Sequence, residues 1–272
     1  MNTSSPEARW LERPGGRIAY EVHGEGPLLV CMPGMGDLRE SYRFLAPRLA
    51  EAGYRVAVMD LRGLGDSSAS WEDYGQRAMG EDALALVELL GGPAVIVGHS
   101  FTPDSAIHAA VEAPDLVRGA VLLGPWARRP KMGPLTSFLF QRVVGSPWLW
   151  SLFYRSLYPG EKPTDFPAYL RALRAKLREP GRRAAFRRIA GPEAVDAQAA
   201  RAEVERPCLI VMGDRDPDFE NPAEEAEAMR AALPRTEARV VMIPGAGHYP
   251  HAQAPGPTAE AILEFLGAID HV

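Results

Sequence analysis

Cysteine is scarce: Cys31 and Cys208 are the only two in 272 residues, and each sits inside an apolar run. Nothing supports a disulfide framework, and no Cys/His spacing resembles a metal site, so both thiols read as free, buried hydrophobes. A strong charge of either sign is also missing. The formal net charge of −5 gives no electrostatic reason to expect nucleic acid or an anionic membrane as partner. No stretch is long and apolar enough to cross a bilayer, and Met1–Glu7 lacks the basic-then-apolar layout of a secretory leader. Repeats and low-complexity tracts are absent. The expectation is a soluble, cytoplasmic protein whose partner is a small-molecule substrate.

What the chain does hold is an alternation of short runs rich in Val, Ile and Leu with longer helical patterns. The runs are 18–22, 28–32, 55–60, 94–98, 120–124, 208–213 and 239–243, and they lack strict polar alternation. Runs of that kind suit strands buried on both faces, as in a parallel sheet covered by helices. Helical patterns fall at 42–51, 82–90, 105–112, 223–233 and 258–269. Near 223, Asn221 suits an N-cap, Pro222 the first helical position, and the following Glu residues the positive helix end. The fold expected is α/β, a mostly parallel doubly wound sheet flanked by helices. One region breaks the rhythm. From about 130 to 206 the chain is helical and aromatic with no convincing strand, which reads as a helical cap inserted into a core of 1–129 and 207–272. Within it lie the aromatic cluster Trp148, Trp150, Phe153, Tyr154 and Tyr158 and a basic helix expected over 169–188. Its arginines read as a solvated face, and its aromatics as either the cap's own core or a pocket lining.

Chemistry concentrates at strand ends. Val95-Ile96-Val97 runs into Gly98-His99-Ser100, and a helix follows, so the turn lifts the Ser100 hydroxyl above the sheet edge with helix-start N–H groups facing it. Three carboxylates, Asp214, Asp216 and Asp218, share one turn after the run at 208–213. His248 follows the Gly-rich lead-in Gly245-Ala246-Gly247, with His251 as a rival.

Together with Pro33-Gly34-Met35-Gly36 and Asp60-Leu61-Arg62-Gly63-Leu64-Gly65-Asp66-Ser67, these segments resemble the α/β-hydrolase superfamily over nearly the whole chain, in the order Ser, Asp, His. The resemblance implies a Ser100 nucleophile, a His248 base, Asp216 as the acid that orients it, and the backbone N–H groups of Met35 and Phe101 as oxyanion donors. It leaves Asp214 and Asp218 as turn-formers, His99 as a packing residue behind the turn, and Asp104 as a partner of the helix dipole. The Asp60–Ser67 segment is structural in its usual role. Two positions depart from the pattern: Thr102 stands where the family usually has Gly, and Pro33 where many members have His. A crowded turn is the expected consequence of Thr102.

The implied activity is hydrolysis of an ester-like bond in a small or medium apolar substrate through an acyl-Ser100 intermediate, with no metal or cofactor. A nucleophilic Asp, as in epoxide or halide chemistry, is ruled out by Ser100. Alternatives are thioester, lactone or C–C bond cleavage, a non-hydrolytic biosynthetic reaction, or a catalytically silent binding or scaffold protein that uses the Arg run.

Overall fold

The computed structural model describes residues 6–128 and 133–269; the expected core–cap boundary at 129/130 and the first five residues lie outside it. In chain order the strands are β1 (Arg9–Arg13), β2 (Gly16–His23), β3 (Leu28–Met32), β4 (Arg55–Met59), β5 (Ala94–His99), β6 (Val117–Leu123), β7 (Cys208–Gly213) and β8 (Ala238–Ile243). They form one sheet in the order β1-β2-β4-β3-β5-β6-β7-β8. Pairing is antiparallel at β1/β2 and β2/β4 and parallel from β4 onward.

The helices are α1 (Leu45–Glu51), α2 (Gln76–Leu90), α3 (Pro103–Glu112), α4 (Pro134–Val144), α5 (Pro147–Ser156), α6 (Phe166–Arg178), α7 (Arg182–Ile189), α8 (Pro222–Ala231), α9 (Pro250–Gln253) and α10 (Pro255–Ile269). Both sheet faces are covered, which is why the central strands are apolar throughout. On one face Leu29, Cys31, Val58, Val97 and Val121 pack with Leu45 and Leu49 of α1 and Ile262 and Phe265 of α10. Alternate residues on the other face, including Val30, Met32, Ile96, Leu122 and Ile210, pack with Met79 and Leu86 of α2 and Ile107 of α3. Cys31 and Cys208 are free and buried, and burial pushes both thiols up, Cys208 to about 12. None of the described helices is long and apolar enough to cross a membrane.

Helices α4 to α7 form the helical insertion between β6 and β7. Two corrections to the sequence reading arise here and at the sheet edge. The basic segment is not one helix over 169–188. It breaks at Glu179-Pro180-Gly181, because Pro cannot continue the α6 hydrogen bonding and Gly181 turns the chain at φ +81°. Nor is its charge simply solvated. Lys176 and Asp66 pair closely, the Arg182 guanidinium is buried on the carbonyl of Ser67, and Arg188 donates to the carbonyls of Trp71 and Glu72. These cations pin the insertion to the loop after β4. The strand β1 went unforeseen, since in Arg-Trp-Leu-Glu-Arg only Leu11 is buried and the edge is held by backbone pairing and by the bond of Arg13 to Asp82.

Candidate active site

Parallel strands end at the same sheet edge, and four of those ends carry the expected residues. Met35 follows β3, Ser100 follows β5, Asp216 follows β7 and His248 follows β8. The tertiary structure brings them together. The imidazole of His248 lies with Nδ1 2.7 Å from Asp216 Oδ2 and Nε2 2.7 Å from Ser100 Oγ. A carboxylate only accepts, so in the neutral imidazole Nδ1 carries the proton and Nε2 is left to accept from the Ser100 hydroxyl. Asp216 and His248 are buried, while Ser100 is half-buried and faces a cavity of about 330 Å³. Met35 and Phe101 line the same cavity, and among the described residues neither amide donates to a backbone carbonyl.

The turn at Ser100 has a physical explanation. Ser100 adopts φ +58°, the one positive φ of a described non-glycine residue, a conformation that costs on the order of 1–3 kcal/mol. Gly98 makes room for it: a Cβ there would lie 2.5 Å from the carbonyl oxygen of Thr102. Thr102 does not crowd the turn as expected. Its side chain is buried, and Oγ1 accepts from the His99 amide at 2.9 Å. That hydroxyl also sits 3.1 Å and 3.2 Å from the carbonyl oxygens of Met32 and Pro33, tying the turn to the Met35 loop. Gly has no side chain to make that bridge. Pro33 leaves the Met35 amide available.

Asp214 is a turn-former as expected, accepting from the Gly245 amide at 2.7 Å. Asp218 also lies in that turn, its amide donating to Asp216 Oδ1 at 3.0 Å, but its carboxylate lines the cavity, with Oδ2 3.6 Å from His248 Nε2, and burial pushes its carboxyl upward. His99 is buried behind the turn as expected, but it also donates from Nε2 to the carbonyl of His248 at 2.8 Å, linking the Ser100 turn to the His248 loop. His251 is buried and stacked on Tyr42. Asp104 stands in the first turn of α3 but is also forked onto Arg201 at 2.6 and 2.8 Å. Asp60, Arg62 and Ser67 are structural. Arg62 forks onto Asp82 at 2.8 Å, the Asp60 carboxylate pairs with Arg39, and Ser67 Oγ accepts from the Ala19 amide.

Asp37 and the groups around it escaped the sequence reading. The residues after Met35 are held from the insertion: Trp150 Nε1 donates to the Gly36 carbonyl at 2.8 Å, and the hydroxyls of Tyr154 and Tyr169 donate to the Asp37 carboxylate. Gly36, at φ +68°, cannot carry a side chain because Phe186 and Trp150 press on it. The aromatic cluster thus serves both readings, since Trp150 and Phe153 line the cavity while Tyr154 and Tyr158 are core. Burial raises Asp37 to about 7 against the hydrogen bonds from Tyr169, Leu38 and Tyr154. The unfolded carboxyl loses its proton near pH 4, so the folded state retains a proton over the interval up to 7. The stability contributed is full below pH 4 and is lost as pH rises through 7, at up to about 1.4 kcal/mol per pH unit. Asp37→Asn is expected to flatten that slope, and thermal midpoints of both proteins between pH 4.5 and 8 check it. Parallel slopes would refute the assignment.

The chain matches the Alpha/beta hydrolase family over residues 29–261 and belongs to it. It is 28% identical to 2-(acetamidomethylene)succinate hydrolase of Mesorhizobium japonicum, with 93% of each chain aligned. It is 25% identical to epoxide hydrolase A of Mycobacterium tuberculosis, covering 98% of this chain and 99% of that one. Among solved structures, a thermophilic esterase from Thermogutta terrifontis superposes with a TM-score of 0.78 at 26% identity, covering 97% of this chain and 99% of that one. A bromoperoxidase from Bacillus anthracis superposes with a TM-score of 0.81 at 22% identity, covering 96% of this chain and all of that one, which shows the fold alone.

Proposed function

We propose that this hydrolase-family chain is a serine hydrolase that cleaves an ester-like bond of a small or medium apolar substrate through an acyl-Ser100 intermediate. The observation that carries it is the unbroken relay from Asp216 through His248 to Ser100, with both links at 2.7 Å. A serine hydroxyl is too weak an acid to attack unaided, so His248 takes its proton as the Oγ–carbon bond forms. Asp216 holds the tautomer and stabilises the imidazolium. The negative charge moves to the substrate oxygen, where the Met35 and Phe101 amides receive it; each such donor is typically worth about 3–4 kcal/mol. His248 then protonates the leaving group, which departs as the carbonyl re-forms. In the second half-reaction His248 takes a proton from water, hydroxide adds to the acyl carbon, and Ser100 leaves with its proton restored.

Support for the ester-like bond comes from the similarity to the Thermogutta esterase and from a cavity walled largely by apolar side chains. The similarity to an epoxide hydrolase does not carry that chemistry over, because the residue at the turn here is Ser100. A fluorophosphonate tests the reading. Intact mass should rise by one phosphonyl group, mapped to the peptide holding Ser100, and an unmodified protein would defeat the nucleophile assignment.

A further inference from the structure

The polar groups in the wall of the cavity beside Ser100 differ in whether they have partners. Among the described lining residues Arg201 is the one arginine or lysine, and each of its three side-chain nitrogens already donates. It forks onto Asp104 and gives further N–H groups to the carbonyls of Trp126 and Ala127, at 2.7 and 2.8 Å. The Asp218 carboxylate faces the cavity and accepts no hydrogen bond among the described residues. Gln198 is half-buried.

Gln76 is different. Its side chain, at the first position of α2, lines the cavity with the residue only 3% exposed. Nε2 donates to the carbonyl of Phe101 at 2.6 Å, while Oε1 is buried with no partner. The amide orientation is not arbitrary, because the Phe101 carbonyl can only accept and a flipped side chain would set two acceptors against each other. Gln76 therefore holds a buried, unpartnered acceptor in the wall of an apolar cavity, tied to the residue that follows Ser100. A buried acceptor without a donor is unfavourable, and a ligand that supplies the donor gains by doing so.

We propose that the substrate is an uncharged acyl compound carrying an N–H or O–H group close to its scissile carbonyl, and that Gln76 Oε1 accepts from that group; this deepens, and rests on, the serine-hydrolase reading above. The donor sits close to the carbonyl because Gln76 is anchored at Phe101, whose amide is assigned to the oxyanion. The substrate is uncharged because an anion would meet the carboxylates of Asp216 and Asp218, with His248 already shared between them and no unpaired arginine or lysine among the described lining residues to offset them.

Two isosteric pairs test this, each exchanging one N–H for CH₂: ethyl N-acetylglycinate against ethyl 4-oxopentanoate, and 2-acetamidoethyl butanoate against 4-oxopentyl butanoate. The donor-bearing member of at least one pair should have a kcat/KM about tenfold higher, equivalent to 1.4 kcal/mol. Gln76→Met should bring that ratio to near one; loss of the bond to Phe101 affects both members alike and cancels. Monoethyl succinate should be turned over at least about tenfold more slowly than either donor-bearing ester. The same compounds are titrated into Ser100→Ala protein and followed by tryptophan fluorescence, since Trp126 and Trp150 line the cavity. Dissociation constants then report the donor preference even if no ester is turned over. Absence of turnover and of a phosphonyl adduct would defeat the hydrolase reading. Ratios near one in both pairs, a preference that survives Gln76→Met, or tighter binding of the anion would defeat the donor-site proposal.

Discussion

Ser100→Ala is expected to lower kcat/KM on any ester the protein turns over by about a million-fold and to abolish phosphonyl labelling, while leaving the fold intact. The residual rate would come from the cavity and the two amides, which the substitution does not touch. Ser100→Gly separates chemistry from strain. Ser100 adopts φ +58°, and a glycine relieves the steric cost of that conformation, on the order of 1–3 kcal/mol. Against this stands the greater backbone entropy of unfolded glycine, roughly 0.5–1 kcal/mol. Relief exceeds the entropic cost, so the glycine variant should be inactive yet more stable than wild type by about 1 kcal/mol, or about 2–4 °C in Tm for a chain of this size. A protein of undiminished activity would end the case for the nucleophile. An inactive glycine variant that melts below the alanine variant would show that the turn is relaxed and stores no strain.

How much of this could be read before any coordinates existed follows from where each signal resides. Central strands such as Leu28–Met32 and Cys208–Gly213 were legible because both faces are buried and their apolar character is continuous. Ser100, Asp216 and His248 were legible because the sheet places strand ends together, and spacing from each strand end is a local property. Asp37 was not. Its partners Tyr154 and Tyr169 lie 117 and 132 positions away, and their meeting depends on how the insertion settles on the core. Asp218 failed for a subtler reason. It shares the turn of Asp214 and Asp216, yet backbone direction alone decides that Asp214 caps Gly245 while Asp218 faces the cavity. Gln76 carried no motif at all, and its place emerged only from the bond to Phe101. The break at Pro180-Gly181 was visible in the sequence but masked by the basic residues, Arg171 to Arg188, that run on across it.

Asp216→Asn should cost about 10,000-fold in kcat, because the amide can donate to Nδ1 and stabilise the tautomer whose Nε2 already holds a proton and cannot serve as base. Asp214→Asn keeps a side-chain oxygen to accept from the Gly245 amide and should leave the rate within a few-fold; a collapse here with Asp216→Asn still active would reverse the assignment of the acid. Asp218→Asn makes a different, signed prediction. Burial pulls the His248 imidazole downward, but the charges of Asp216 and then Asp218 outweigh it and hold the group up at about 9. An imidazolium cannot accept the serine proton, so wild-type kcat/KM should rise about tenfold per pH unit from 7 and level off near 9. Removing the Asp218 charge takes away one of the three carboxylates that hold the proton on His248, the others being Asp216 and Asp37, so the limb moves toward acid. Activity at pH 7 then climbs relative to the plateau, although a carboxylate has been lost from the cavity. Profiles of kcat/KM for both proteins between pH 6 and 10 decide the matter, and a limb that stays in place would mean that Asp218 exerts no field at His248 Nε2.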